Sequence, residues 1–441
     1  MAKSDETYRT LREDARALLD AAVHAVRADR AVERALTLEE TTLVARGVKG
    51  ERAVVELDRV DRVFVVGAGK AVAPMARVVE RLLGERIAEG VVVAKEGFAK
   101  PLTRVAIREA SHPTPDERGA AAAREVERIT EAAGENDLLV VLLTGGASAL
   151  LPAPSEGATL EQKRALTEAL QKSGADIREL NAVRKSLSRL KGGGLATIAA
   201  PARVLSLVVS DVVGDPIDVI GSGLTAPETS NGKDALAVLK KYALLDKLPE
   251  SLRATLEHTQ ESERADARVD NVIVANNRLA LAAMAKEAER LGYETSIQNV
   301  PLEGEAKEAA RAFIKEAARE SKGTYCRIAG GETTVTIRGG GVGGRATEFC
   351  LGASATISAL DGALLFCAGT DGDDGSSGAA GATTDALTLT RAAREGMDWR
   401  ASLENNDSAS FFRALGDLIV TGATGTNVAD VAAFLQRDDA D

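Results

Sequence analysis

Six segments join apolar residues to glycines that carry one or two charged or hydroxyl side chains: VFVVGAGKA, LVVLLTGGASAL, LSLVVSDVVGD, CRIAGGETTV, GGGVGGRATEF and LLFCAGTDGDDG. A short continuous apolar run reads as a strand buried on both faces. The glycines that end it read as a loop at the carboxyl edge of a parallel sheet, where open α/β folds bind ligands. Strands are expected at Arg62–Val66, Gly90–Ala94, Arg104–Glu109, Leu138–Thr144 and Arg203–Ser210. Helical periodicity separates them at Val72–Leu83, Arg118–Ala133, Leu160–Ser173 and Ala182–Leu190. Before the first strand, Leu11, Leu18, Leu19, Ala22 and Val26 share one helical face, and a further helix is expected over Leu36–Val48. Strand and helix alternation of this kind predicts a doubly wound, Rossmann-like parallel sheet.

The texture changes between Tyr242 and Arg268, where LDKLPESLRATLEHTQESERADAR is polar and offers no strand. The expected division is an N-terminal domain over 1–245, a helical connector over 246–268 and a C-terminal mixed α/β domain over 269–441. That second domain begins with Asn271–Ala275 as a strand, Arg278–Leu291 as a helix, Glu294–Gln298 as a strand and Glu305–Ser321 as a helix. Tyr325–Ile328 and Thr333–Arg338, separated by AGGE, read as a hairpin in a mixed sheet.

Length and composition agree with two cores: 441 residues, 45% of them apolar, exceed what one core usually supports. The 66 acidic and 55 basic residues give a net charge of −11, which disfavours nucleic acid and anionic membranes as partners and points to small molecules. Cys326, Cys350 and Cys367 sit in apolar contexts without metal-ligand spacing, as expected of reduced core thiols in a cytoplasmic protein. No apolar stretch approaches the length of a membrane span.

Closely spaced glycines let successive N–H groups converge on an anion, and a following helix adds its positive end. Gly67 and Gly69 are placed to do this, and Lys70 adds a cation where the helix itself gains nothing from one. Val72 occupies the third glycine position of the dinucleotide fingerprint, and the Walker pattern is absent, so neither NAD nor P-loop binding is indicated. Gly145, Gly146 and Ser148 repeat the device with hydroxyls; no G-x-S-x-G pattern surrounds Ser148, which argues against a serine hydrolase. Asp211 lies at the end of an apolar strand and is a candidate base or magnesium ligand. Asn181, Arg184, Lys185, Arg189 and Lys191 crowd one helical stretch, readable either as a solvated basic face or, through Asn181, Lys185 and Arg189 at a spacing of four, as a stripe facing an anion. In the second half Glu332 and Arg345 follow flexible glycines, and Arg345 has the planar fork suited to a carboxylate or phosphoryl group. Asp371, Asp373 and Asp374 resemble a calcium loop, but Gly375 breaks the ligand spacing, and magnesium held with waters and phosphate oxygens fits better. His112, in a proline-rich turn, reads as structural.

Taken in order, VVGAGKA, LLTGGASAL, LNAVRKSLSRLKGGGLA, SDVVGDPIDVIGSG, AGGETTV, GGRATEF, AGTDGDDG and TGATGTNVAD resemble the class II glycerate kinases, whose C-terminal half is the MOFRL domain. The resemblance runs from about Leu11 to Val431. It implies a two-domain α/β enzyme with its site in the interdomain cleft, phosphorylating D-glycerate to 2-phosphoglycerate with ATP and Mg2+. A homodimer is the candidate assembly, with no nucleic-acid or membrane partner. It implies catalytic roles for Lys70, Arg345 and Asp211, phosphate or substrate contacts from Gly67, Gly69, Gly145, Gly146, Ser148, Asn181, Arg184 and Lys185, and metal or water contacts from Glu332 and Asp371. Ala346, Thr347, Ser186 and Leu224 depart from the family pattern and are candidate specificity positions. The competing readings are a kinase of a related sugar acid, a hydroxypyruvate reductase, and a metabolite sensor that has lost turnover.

Overall fold

The protein is described by a computed structural model covering residues 5–226, 232–258 and 268–438. Its chain divides into two compact units, Ala28–Ala275 and a second made of Met1–Arg27 with Asn276–Asp441.

In the first unit the apolar runs form β1 (Val63–Ala68), β2 (Ile87–Lys95), β3 (Ala106–Ala110), β4 (Leu138–Leu143), β5 (Arg203–Val209) and β6 (Arg268–Ala275). They pair in the order β3-β2-β1-β4-β5-β6, every pair parallel. Every residue of β1 and β4 is buried, as a central parallel strand with helices on both faces requires. The helix Val72–Leu83 leaves β1, and Glu117–Glu131, capped by the Asp116 side chain on the Gly119 N–H, leads into β4. Val66, Val91, Val126, Ile129 and Val141 meet in the core between sheet and helix. Chain order runs outward from β1 to β3 and then returns to β4, so the direction of winding reverses between β1 and β4.

Four further helices, Leu160–Lys172, Ile177–Ser186, Gly232–Lys241 and Glu250–His258, bury Leu166, Leu170, Val183, Leu239, Leu252 and Leu256 in a separate small core. This corrects the expected boundary. Glu250–His258 is not a connector, because its two leucines belong to that core; 259–267 lies outside the described residues; and β6 completes the parallel sheet of the first unit. Leu36–Val48 is also not a helix. Leu36–Glu39 and Thr42–Arg46 pair antiparallel around Glu40, which has a positive φ, and Arg52–Glu56 adds a third strand. The β-branched Thr37, Thr41, Thr42 and Val44 oppose a helix there.

In the second unit the helix Asp5–Val26 buries the face formed by Leu11, Leu18, Leu19, Ala22 and Val26 and packs on the helix Asn277–Arg290. Its sheet is mixed: β7 (Glu294–Ile297), β8 (Tyr325–Gly331), β9 (Ala363–Gly369), β10 (Gly381–Asp385), β11 (Leu418–Ile419) and β12 (Asp430–Gln436) lie in the order β7-β8-β12-β9-β10-β11. The mixed sheet matches expectation, but the hairpin after Tyr325 does not form. Both edges of β8 are already taken, by β7 in parallel and β12 antiparallel, and Thr334 instead bridges to Glu305.

Phe349, fully buried on the helix Arg345–Ile357, lies 6.3 Å from Phe313 between ring centroids. Phe349→Ala is expected to cost about 3–5 kcal/mol of stability, read as a lowered urea midpoint with unchanged far-UV circular dichroism at low denaturant.

Candidate active site

The first unit places its candidate residues at the carboxyl ends of three adjacent strands. Gly67, next to last in β1, lies so close to β4 that a Cβ there would overlap the Leu142 carbonyl; a Cβ on Gly69, whose φ is +142°, would overlap Thr144 Oγ1. The loops after the two strands are stitched together. The Lys70 N–H donates to Gly145 O at 2.9 Å, the Ala71 N–H to Thr144 Oγ1 at 3.1 Å, and the Thr144 N–H to Ala68 O at 3.1 Å. With its backbone held in this way, Lys70 carries its half-buried side chain out at the point where the winding reverses, the preferred ligand crevice of an open parallel sheet.

Gly146 has φ +92°, and a Cβ there would lie 3.1 Å from His112 Cδ2 and 3.5 Å from Lys70 Cγ. The imidazole and the lysine stem therefore flank the same glycine, and His112 is part of the site region that the sequence reading left as structural. Ser148 follows, its Oγ 2.9 Å from Ser222 Oγ, while Lys191 Nζ donates to Ser148 O at 2.7 Å. The Gly192 and Gly193 N–H groups donate to Ser222 O and Gly223 O at 2.9 and 2.6 Å, fastening the triple-glycine turn to the loop that follows Asp211. Asp211 comes one residue after buried Ser210, whose N–H donates to Ala275 O at 2.9 Å at the end of β5.

The basic stretch is not a solvated face. Asn181 and Lys185 are buried, Lys185 Nζ lies 3.8 Å from Asp218 Oδ2, and burial depresses the basicity of Arg184. The expected stripe does not extend to Arg189, because the helix ends at Ser186. Arg189 turns away to grip both oxygens of Glu127, at 2.6 and 2.7 Å. Ser186 uses its hydroxyl on Ala182 O within the helix.

In the second unit the sheet register builds the site. β8 and β9 both end opposite the start of β12, so Gly331 and Gly369 each face Asp430. Arg345 opens the helix Arg345–Ile357; its Nε and Nη2 donate to the two oxygens of Asp430, at 2.5 and 3.0 Å, and Nη1 donates to half-exposed Glu332. Asp374 is not a cation ligand in this arrangement. Its carboxylate accepts from the N–H groups of Ala346 and Thr347, both at 2.9 Å, and from the Thr347 hydroxyl at 2.8 Å, capping the helix that presents Arg345. Ala346 and Thr347 are themselves fully buried, so they shape this cap rather than a surface that a substrate touches.

Glu332 and Asp371 are not drawn into a metal-binding cluster. Glu332 is engaged by Arg345, the Asp371 side chain accepts from the Asp373 N–H at 3.1 Å, and among the described residues no three acidic, histidine or cysteine side chains stand together as a cation site. Asp430 was missed from sequence although it closes the quoted segment TGATGTNVAD; an acid between a glycine loop and the apolar run VAAFL was the available signal.

Residues 14–257 match a family described as a domain of unknown function (DUF4147), and residues 325–430 match the MOFRL family. The glycerate 2-kinase of Pyrococcus horikoshii is 37% identical over 95% of this chain and 96% of its own. A protein of Agrobacterium vitis named putative hydroxypyruvate reductase is 41% identical over 85% of this chain and 87% of its own. The crystal structure of the glycerate kinase of Thermotoga maritima superposes with a TM-score of 0.85 at 37% identity, covering 97% of this chain and all of that one.

Burial pushes the Asp430 carboxyl up to about 6, against the downward pull of Arg345. An unfolded aspartate titrates near about 3.9, so between about pH 4 and 6 the folded chain holds the extra proton. This group's stabilising contribution is complete below about pH 4 and is lost as pH rises through 6. The urea midpoint of the wild type is expected to fall relative to that of Asp430→Asn between pH 4 and 7; parallel pH profiles for the two proteins would contradict it.

Proposed function

The chain belongs to the class II glycerate kinase family, and we propose that it transfers the γ-phosphoryl group of ATP to the 2-hydroxyl of D-glycerate, giving 2-phosphoglycerate and ADP. The observation that carries this reading is the pair of stitched glycine loops at the reversal point of the parallel sheet, with Lys70 held between them. Such loops suit phosphate, and relatives spanning nearly the whole chain are named glycerate kinases.

Phosphoryl transfer asks the protein mainly for positioning and for positive charge where the transferring group becomes most anionic. Lys70 is assigned that charge in the first unit and Arg345 in the second. Asp430 holds Arg345 by Nε and Nη2, so the fork is pre-oriented, while Nη1 meets an exposed carboxylate, Glu332, that an incoming phosphoryl oxygen would replace. Asp211, at the end of β5, is assigned to orient the acceptor hydroxyl and take its proton. Gly145, Gly146 and Ser148 line the same edge. Magnesium enters this reading as part of the MgATP substrate, held mainly by waters and phosphate oxygens.

The reductase reading is weaker because buried Val72 stands at the third glycine position of a dinucleotide loop. Three buried free cysteines, with thiols pushed up by burial, accord with a reducing cytoplasm. No helix among the described residues is long and apolar enough to cross a membrane.

Incubation with D-glycerate, ATP and Mg2+ is expected to yield a product that enolase consumes, which identifies the 2-phosphate, with no NAD(P)H oxidation on hydroxypyruvate. Lys70→Ala is expected to lower kcat by at least about 10²-fold with an unchanged melting curve, the scale seen when one charge-stabilising donor is removed. A folded Lys70→Ala protein with wild-type kcat would refute the assigned role.

A further inference from the structure

Several cations among the described residues are matched to carboxylates: buried Arg327 to Glu316 and Glu320, half-buried Arg345 to Asp430 and Arg391 to Asp417, and exposed Arg189 to Glu127. One group is not. Lys163 is 92% buried, by a relative exposure of 8%, and its Nζ has no hydrogen-bond partner among the described residues. It sits in the first turn of the helix Leu160–Lys172, where a cation opposes the helix dipole, and its electrostatic neighbours are Lys191, Arg189 and Arg184, all positive. Lys191 is 96% buried, by a relative exposure of 4%, and its Nζ donates to a neutral carbonyl, Ser148 O. Arg184 is buried enough to lose basicity through desolvation alone. Arg189 is neutralised by Glu127, so Lys163, Arg184 and Lys191 remain as three neighbouring basic groups without a carboxylate among the described residues, and burial pushes Lys191 down to about 7 and Lys163 well below its ordinary value, so that a bound anion is what would hold them charged.

Burying an uncompensated basic group is costly, and an apolar side chain would remove that cost. A chain with more acidic than basic residues does not lack counterions, so the missing one is best understood as a ligand. We infer that Lys163, Arg184 and Lys191 form a buried receptor for a compact oxyanion beside the Ser148 turn, and that during the reaction it holds the carboxylate of the acceptor. The assignment of carboxylate rests on the proposed glycerate kinase activity; the receptor itself does not. The segment after β4 has the Lys70 side-chain stem beside Gly146 and Lys191 Nζ on Ser148 O, so basic side chains reach it at two points two residues apart. Full burial of Lys163 and Lys191 suits a small anion better than a bulky nucleotide.

The test compares wild type, Lys163→Met and Arg184→Gln. Melting is followed with D-glycerate alone and with inorganic phosphate alone, and KM is measured for D-glycerate and for MgATP. Without ligand, Lys163→Met is expected to melt at or above the wild-type temperature, because an unpaired buried charge has been removed. D-glycerate should stabilise the wild type and not the variants. KM for D-glycerate should rise by about 10- to 100-fold, the worth of a hydrogen bond to a charged group, while KM for MgATP stays within about 2-fold. If phosphate is the stabilising ligand and KM for MgATP rises instead, the receptor stands and the carboxylate assignment is overturned. If both variants keep wild-type ligand responses and KM values, or melt lower without ligand, the receptor is overturned. A wild type that D-glycerate stabilises but that makes no ADP would retain the receptor and reject the proposed activity; Arg184→Gln decides the matter should Lys163→Met fail to fold.

Discussion

Neither Gly67 nor Gly69 has room for a side chain, because the end of β1 runs against Leu142 and Thr144 at the end of β4. The rest of the site follows from this approach. Only when the two strand ends are this close can the Lys70 N–H reach Gly145 O and the Ala71 N–H reach Thr144 Oγ1, and those bonds fix where the Lys70 side chain leaves the backbone. The same two strands are where the winding of the sheet reverses. Loops on either side of such a point diverge, so the crevice is open to a ligand while its floor is rigid.

Register performs the corresponding task in the second unit. β12 begins at Asp430 opposite the last residues of both β8 and β9, so a single buried carboxylate lies between two strand-end glycines. Arg345 is brought to it by a helix whose N-terminus is tied down by Asp374. Two buried acids thus set one arginine, Asp430 through its fork and Asp374 through its helix. The burial that makes Asp430 harder to ionise also makes its grip on Arg345 strongly directional.

The strands were readable from sequence because parallel strands buried on both faces are continuous apolar runs, and the helix Asp5–Val26 because its buried face repeats at helical spacing. The positions of Lys70, Ser148 and Asp211 just beyond strand ends were readable because those apolar runs stop there. What failed was everything set by a partner distant in sequence. β8 looked like half of a hairpin, but its neighbours come from β7 and from β12, about a hundred residues further on. The domain boundary was misplaced because a polar stretch and a strand beyond it belong to the first unit through packing that no local pattern announces. Asp430 lies 85 positions from Arg345, and nothing in either segment names the other.

Pairing separates two kinds of basic residue that look alike in the sequence. A paired cation such as Arg189 satisfies its fork on Glu127 and a backbone carbonyl, and its removal would leave a carboxylate stranded. A basic residue such as Lys163 has no such partner among the described residues. Its replacement by an apolar residue should relieve the ligand-free protein rather than harm it. A basic group whose loss would stabilise the resting fold is retained, if it serves a purpose, for a state other than the resting one. In a chain that handles an anionic acceptor and an anionic nucleotide, that other state is the one with ligand bound.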